Sequence, residues 1–233
     1  MKKKRNYVTV LIFTLLLCGC GKSTIKETGD NSAGIENPVT QETTVQENQA
    51  EESTEPDSEV VQEVMAEPEP QELSLIMVGD VLLHDRVEES AQQEDGSYDF
   101  TALFSNTGEM ISAADLAIVN QEVIIGGLGI SGYPAFNAPY AIGDALAAAG
   151  FDIICHGTNH ALDKGKTGLL NCIQFWRTNY PQIGILGIHD SQEDMDSLYI
   201  YEKNGIRVAV LNYTYGTNGI SLPAGMPYAV DLL

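Results

Sequence analysis

Residues 73–233 read as an α/β fold, a layered sheet flanked by helices and partly parallel, because strand-like and helix-like segments alternate along them. Three observations predict it. Short apolar runs of strand length recur and stop at polar clusters. Segments with helical spacing lie between them. Lys203-Asn204-Gly205 then joins two β runs as a hairpin would.

Taken in order, "LSLIMVG" is an apolar run closed by Gly79-Asp80 and reads as a buried strand. "DFTALFSNTGEMISAA" places Phe100, Leu103, Phe104 and Ile111 at helical spacing. "DLAIVNQE" is a second buried strand. A turn-rich loop, "GGLGISGYPAFNAP", leads to the helix "YAIGDALAAAG", for which Gly150 is the natural C-terminal cap. "FDIIC" is a third strand, and a helix follows from about Thr167 to about Tyr180. "GILG" is a fourth strand, and "SLYIYEKNGIRVAVLNYTYG" holds the hairpin.

The formal net charge is -21, much of it before Leu73. Residues 21–72 are rich in Glu, Gln, Thr, Ser and Pro, and no aromatic residue occurs from Ser23 to Glu72. Such a segment cannot bury enough apolar surface to offset chain entropy, so it reads as a disordered acidic linker. The acidity argues against a nucleic-acid partner. Ahead of it, "MKKKRNYVTVLIFTLLLCGC" has a basic start and an apolar run from Tyr7 to Leu17, the pattern of a secretory signal peptide. "LCGCGKS" resembles a bacterial lipoprotein cleavage site, which implies that residues 1–20 are a signal ending at a lipidated Cys20. The protein is then expected on the extracytoplasmic face of the cell membrane, held by its lipid. Of four cysteines this leaves Cys155 and Cys172, either disulfide-bonded in an exported protein or buried as free thiols.

Three strands end in polar clusters. Asp80, with His84 and Asp85 beyond it, follows the first; Asn120 and Glu122 follow the second; His156, Asn159 and His160 follow the third. Ligands of open α/β sheets bind beyond the carboxyl ends of the strands, so Asp80, Asn120, Glu122, Asn159 and His160 are expected in one crevice. Carboxylates, amide oxygens and imidazole suit Mg, Mn, Fe or Zn ions with open positions. Each residue alone also has a plain reading as a cap, a turn former or, for His156, a satisfied structural histidine.

"LIMVGDVLLHDRV", "ADLAIVNQEVIIGG", "YPAFNAPYAIGDALAAAGFDIICHGTNHALDKGKTGLLNCI", "GILGIH" and "GIRVAVLNYTYGTNG" resemble, in order, the successive blocks of the CapA family. That family is linked to capsule and poly-γ-glutamate synthesis, and its domain is related to calcineurin-like metallophosphatases. The resemblance covers Leu73 to Leu233 and implies a metallophosphatase-like sheet holding divalent Mn, Fe or Zn. By position, Asp80, Asn120, Glu122 and Asn159 match metal-site residues. His160 matches the histidine that contacts the phosphate or protonates the leaving oxygen, and Asp163 the block's aspartate, which would orient His160 or hold the loop. The sequence departs from the pattern at Leu82, where related phosphatases carry His, and at Thr158 and Ala161. It also lacks the late "H-x-G-x-E" block, so the resemblance implies a domain incomplete at its C-terminus. The activity implied is metal-dependent hydrolysis of a phosphoester or envelope-polymer linkage, with the capsule or poly-γ-glutamate machinery as partner. A non-catalytic assembly or polymer-binding factor is the alternative. No basic run is present to grip a polyanion: Lys164, Lys166 and Arg207 are scattered.

Overall fold

The computed structural model describes residues 9–10, 70–127 and 129–233. The linker, Cys20 and nearly all of the signal segment lie outside the described residues. Among the described residues no helix is long and apolar enough to cross a membrane.

The strands are β1 (Thr9–Val10), β2 (Leu75–Asp80), β3 (Leu116–Asn120), β4 (Ile153–Cys155), β5 (Gly184–Leu186), β6 (Ile200–Lys203) and β7 (Ile206–Ala209). The helices are α1 (Asp85–Ala91), α2 (Gly108–Ala113), α3 (Tyr140–Ala149), α4 (Gly165–Asn179) and α5 (Gln192–Asp196), with a 3-10 turn at Thr101–Phe104. β2, β3, β4 and β5 form one parallel sheet in that order. Each connection therefore steps the same way, and crossovers of one hand put their helices on one face.

The packing follows from the two-residue period of β3. Ala117 and Val119 face a core shared with Ile142 and Leu146 of α3 and with Leu169 and Trp176 of α4. Leu116 and Ile118 face the other way, into a smaller core with Ile153, Cys155 and Leu186. The hairpin covers that second face, bringing Tyr201 and Val208 against it. β3 is thus buried on both sides and reads as unbroken apolar sequence. The hairpin strands do not extend the parallel sheet. They form a second sheet in the order β1-β7-β6, β1 pairing parallel with Val208 and Ala209.

Three readings are corrected. β2 is half-exposed, because it is an edge of its sheet among the described residues. The segment from Phe100 to Ala114 is no single helix: it breaks between the 3-10 turn and α2, around Ser105–Thr107, and leaves Leu103 46% exposed. The strand runs hid a helix, α1, right after the first polar cluster. Other expectations hold. Gly150 caps α3 at φ 95°, a left-handed conformation that glycine adopts without penalty. Asn204 (φ 53°) and Gly205 (φ 74°) turn the hairpin. Cys155 and Cys172 are both free and buried, and burial pushes each thiol up to about 12.

Candidate functional site

The carboxyl ends of β2, β3 and β4 lie side by side, and their polar residues meet there. At the end of β2 the register with β3 shifts between Val78 and Asp80, so that Asp80 stands opposite Asn120. Asn120 Nδ2 donates to Asp80 Oδ1 at 2.6 Å. Two residues on, Glu122 is buried with its carboxyl within hydrogen-bonding reach of Asp80. Burial, then the neighbouring Asp80 charge, raises the Glu122 pKa, and His160 opposes the rise only partly. Two carboxylates this close repel each other, and a cation between them would relieve the repulsion.

Beyond β4 the chain turns through Gly157–Gly165. Thr158 occupies the position where the family pattern has Asn, and its hydroxyl is a joint. Its Oγ1 donates to Glu122 O at 2.8 Å and accepts from His160 N at 3.2 Å. The loop after β4 is thereby fixed to the loop after β3. His160 Nδ1 lies 2.7 Å from Asp163 Oδ2, and the same oxygen accepts Phe136 N–H at 2.8 Å. A carboxylate held at that distance accepts a hydrogen bond from Nδ1–H and fixes the tautomer. Nε2 is then the nitrogen facing Glu122 Oε1, 3.9 Å away. The Phe136 ring stands edge-on to His160 (centroids 4.9 Å apart) and to the exposed His84 (5.1 Å).

Asn159 donates from Nδ2 to Asn218 Oδ1 at 3.2 Å. Its own Oδ1 is buried with no hydrogen-bond partner. A buried amide oxygen without a donor is costly unless something outside the chain satisfies it. This orphan oxygen and the mutually repelling carboxylates fit a divalent cation. Among the described residues no group of three His, Cys, Asp or Glu side chains is placed to hold a metal ion. The donor set that fits therefore mixes the carboxylates of Asp80 and Glu122 with amide oxygen and one imidazole.

Of the residues singled out in the sequence, Asp80, Asn120, Glu122, His160 and Asp163 are joined by the contacts above, while Asn159, next to His160 in the chain, contacts Asn218 instead. Those missed are Thr158 as a joint, Phe136 and Asn218. Asn218 comes from the loop after β7, remote in sequence, and nothing in "GTNG" distinguishes it from an ordinary turn. His156 is set apart from the site. Fully buried, it accepts Trp176 Nε1–H at Nε2 (2.9 Å) and donates to the Gln121 carbonyl, and burial pushes its pKa down to about 3.

Residues 74–229 match the family model described as "Bacterial capsule synthesis protein PGA_cap". The match contains every residue of the site. No curated protein matches the chain.

Proposed function

The chain belongs to this family of bacterial capsule synthesis proteins, and from that premise we propose that it is a metal-dependent hydrolase of the phosphoesterase type acting in capsule-polymer synthesis. The supporting observation is the His160–Asp163 pair at 2.7 Å beside the Asp80–Glu122 carboxylates. Asp80, Glu122 and Asn159 would hold the cation, with Asn120 orienting Asp80. Their oxygen-rich character favours Mn over Zn. When bound, such an ion supplies Lewis acidity at a phosphoryl oxygen. The chain's own residues do the rest. Asp163 holds the Nδ1 proton of His160 and turns Nε2 toward the site. As water adds to phosphorus and the P–O bond to the leaving group breaks, Nε2–H of a protonated His160 would give its proton to the leaving oxygen, with Asp163 stabilising the charged ring. Phe136 keeps water from one side of the ring. Cys20 would carry the lipid that places this site on the extracytoplasmic face of the membrane, within reach of the poly-γ-glutamate or capsule machinery.

The test is hydrolysis of bis-p-nitrophenyl phosphate by the full-length chain with added Mn²⁺. Activity that falls by about 10²–10⁴ in His160→Ala supports the reading. Activity unchanged in that variant would contradict it. The absence of a three-residue His/Cys/Asp/Glu cluster among the described residues favours a second reading, a non-catalytic assembly factor. Wild-type protein that binds Mn²⁺ but hydrolyses nothing would select it.

A further inference from the structure

We infer that Asn218 is a positioning residue for Asn159, the neighbour of His160, acting through its side-chain amide rather than through its turn. The inference rests on the reading of Asn159 and His160 as the functional centre. Two Asn-Gly turns in the molecule have the same backbone. Asn204 and Asn218 have φ values of 53° and 52°, and Gly205 and Gly219 follow at 74° and 78°. The first turn closes the β6–β7 hairpin, and its Asn204 Nδ2 donates to Glu72 O at 3.0 Å. The second joins no paired strands. Its backbone is held by Thr217 instead: Ile220 N donates to Thr217 O at 2.8 Å, and Thr217 Oγ1 donates to Ile220 O at 2.5 Å. The Asn218 side chain is not needed for the turn. It reaches back across the fold: Oδ1 accepts from Asn159 Nδ2 at 3.2 Å, while Nδ2 lies 3.3 Å from His160 Nδ1, whose proton is directed to Asp163.

The loop that carries Asn218 is fixed against the site at its other end too. Gly157 N donates to Asn212 Oδ1 at 2.5 Å. Gly157 and Gly187 permit this approach: a Cβ on Gly187 would lie 2.3 Å from that oxygen, and one on Gly157 would lie 2.8 Å from it. Thr214 N donates to Asp231 O at 3.0 Å, and Leu233 N to Thr214 O at 3.0 Å. So the amide is presented from a firm base. Its effect on Asn159 is specific. An Asn side chain can rotate to offer either oxygen or NH₂ to a ligand. By accepting from Nδ2, Asn218 turns the Asn159 Oδ1 away from itself and leaves that oxygen as the atom offered.

The test uses glycine, which suits a left-handed φ and removes only the amide. In the ¹⁵N-labelled full-length chain without metal, Asn218→Gly should keep its melting temperature within about 2 °C. The Asn159 side-chain NH₂ should exchange with water about tenfold faster, and the His160 ring nitrogen resonances should move. Asn218→Asp, which keeps the acceptor, should restore slow exchange at Asn159. Asn204→Gly should change neither signal. Resonances at wild-type positions in Asn218→Gly would reduce Asn218 to a turn residue. Loss of folding in that variant, or no rescue by Asn218→Asp, would equally overturn the inference. A Mn²⁺ titration separates this from the metal reading. Where the wild type binds, Asn218→Gly should bind about fivefold more weakly, the loss of one hydrogen bond. Wild-type protein that takes up no Mn²⁺ would sink the metal reading, while the exchange data still decide the role of Asn218.

Discussion

His156 and His160 stand four residues apart in one loop and do opposite things. His156 has both ring nitrogens occupied, by Trp176 and by the Gln121 carbonyl, inside the core. His160 has one nitrogen held by Asp163, and the other faces Glu122 across 3.9 Å. His189, beyond β5, repeats the closed arrangement with charge. Its Nδ1 is 3.3 Å from Asp194, and its Nε2 approaches Asp231 within 3.1 Å, off the line of an ideal hydrogen bond. What makes a histidine available for chemistry is one nitrogen fixed and one left open. Proximity to a strand end does not suffice.

The largest effect that would break this comparison is at Trp176, the fully buried tryptophan of α4. Trp176→Ala should cost about 3–5 kcal/mol through the cavity, and should also leave His156 Nε2 with only the weak Cys172 thiol, 3.5 Å away. Chemical denaturation measures it, and a loss below about 1 kcal/mol would show that His156 is not held as described. His160→Gln should cost far less stability, about 1 kcal/mol, while removing the activity proposed. The same denaturation series, run beside the hydrolysis assay, checks that separation.

The two closed histidines should also give pH dependences of opposite sign. His156 is neutral in the fold, and its pKa is far below the ordinary imidazole value. As pH falls from about 6.5 towards 3 the unfolded chain gains a proton that the fold refuses, so stability falls with it. His189 goes the other way. Burial alone would lower its pKa, but Asp231 and Asp194 outweigh burial and raise it. Its contribution is complete below the ordinary value and is lost as pH rises through the raised one. Glu88 of α1, pushed up to about 7 by burial and by Asp85, loses stability in the same direction. The difference between wild type and His189→Gln, followed from pH 6 to 9, isolates the histidine. A difference that does not shrink with rising pH would show that the clasp carries no protonated ring. This is the smallest of the effects, since Asp194 is partly exposed to solvent.

Much of the fold was legible because local signals agreed with it. β3, α3 with its Gly150 cap, and the Asn204-Gly205 hairpin each carry their own chemistry in sequence. The second sheet was not legible. Nothing in "IYEK" or "IRVA" says that the hairpin crosses the face opposite the helices rather than joining the sheet edge, because both placements bury the same side chains. β2 looked like an interior strand for a related reason: an apolar run does not report whether it has one neighbour or two. At the site, residues just past strand ends could be found by topology, and Asp80, Asn120, Glu122, Asn159 and His160 share that position. Asn218 could not, because its contacts span 58 and 59 residues and its local sequence is a turn. Thr158 read as a departure from the family pattern, yet its hydroxyl joins two loops by hydrogen bonds that no spacing rule encodes.

The most direct measurement is the metal content of the purified full-length protein, taken beside an Asp80→Ala, Asn159→Ala double variant whose folding is checked by its melting curve. Stoichiometric Mn, Fe or Zn in the wild type, lost in a folded double variant, is the predicted result. It would mean that three strand ends of this chain form a metal site. No metal in either protein, after incubation with each ion, would contradict the central claim and leave a capsule-synthesis domain that works by binding alone.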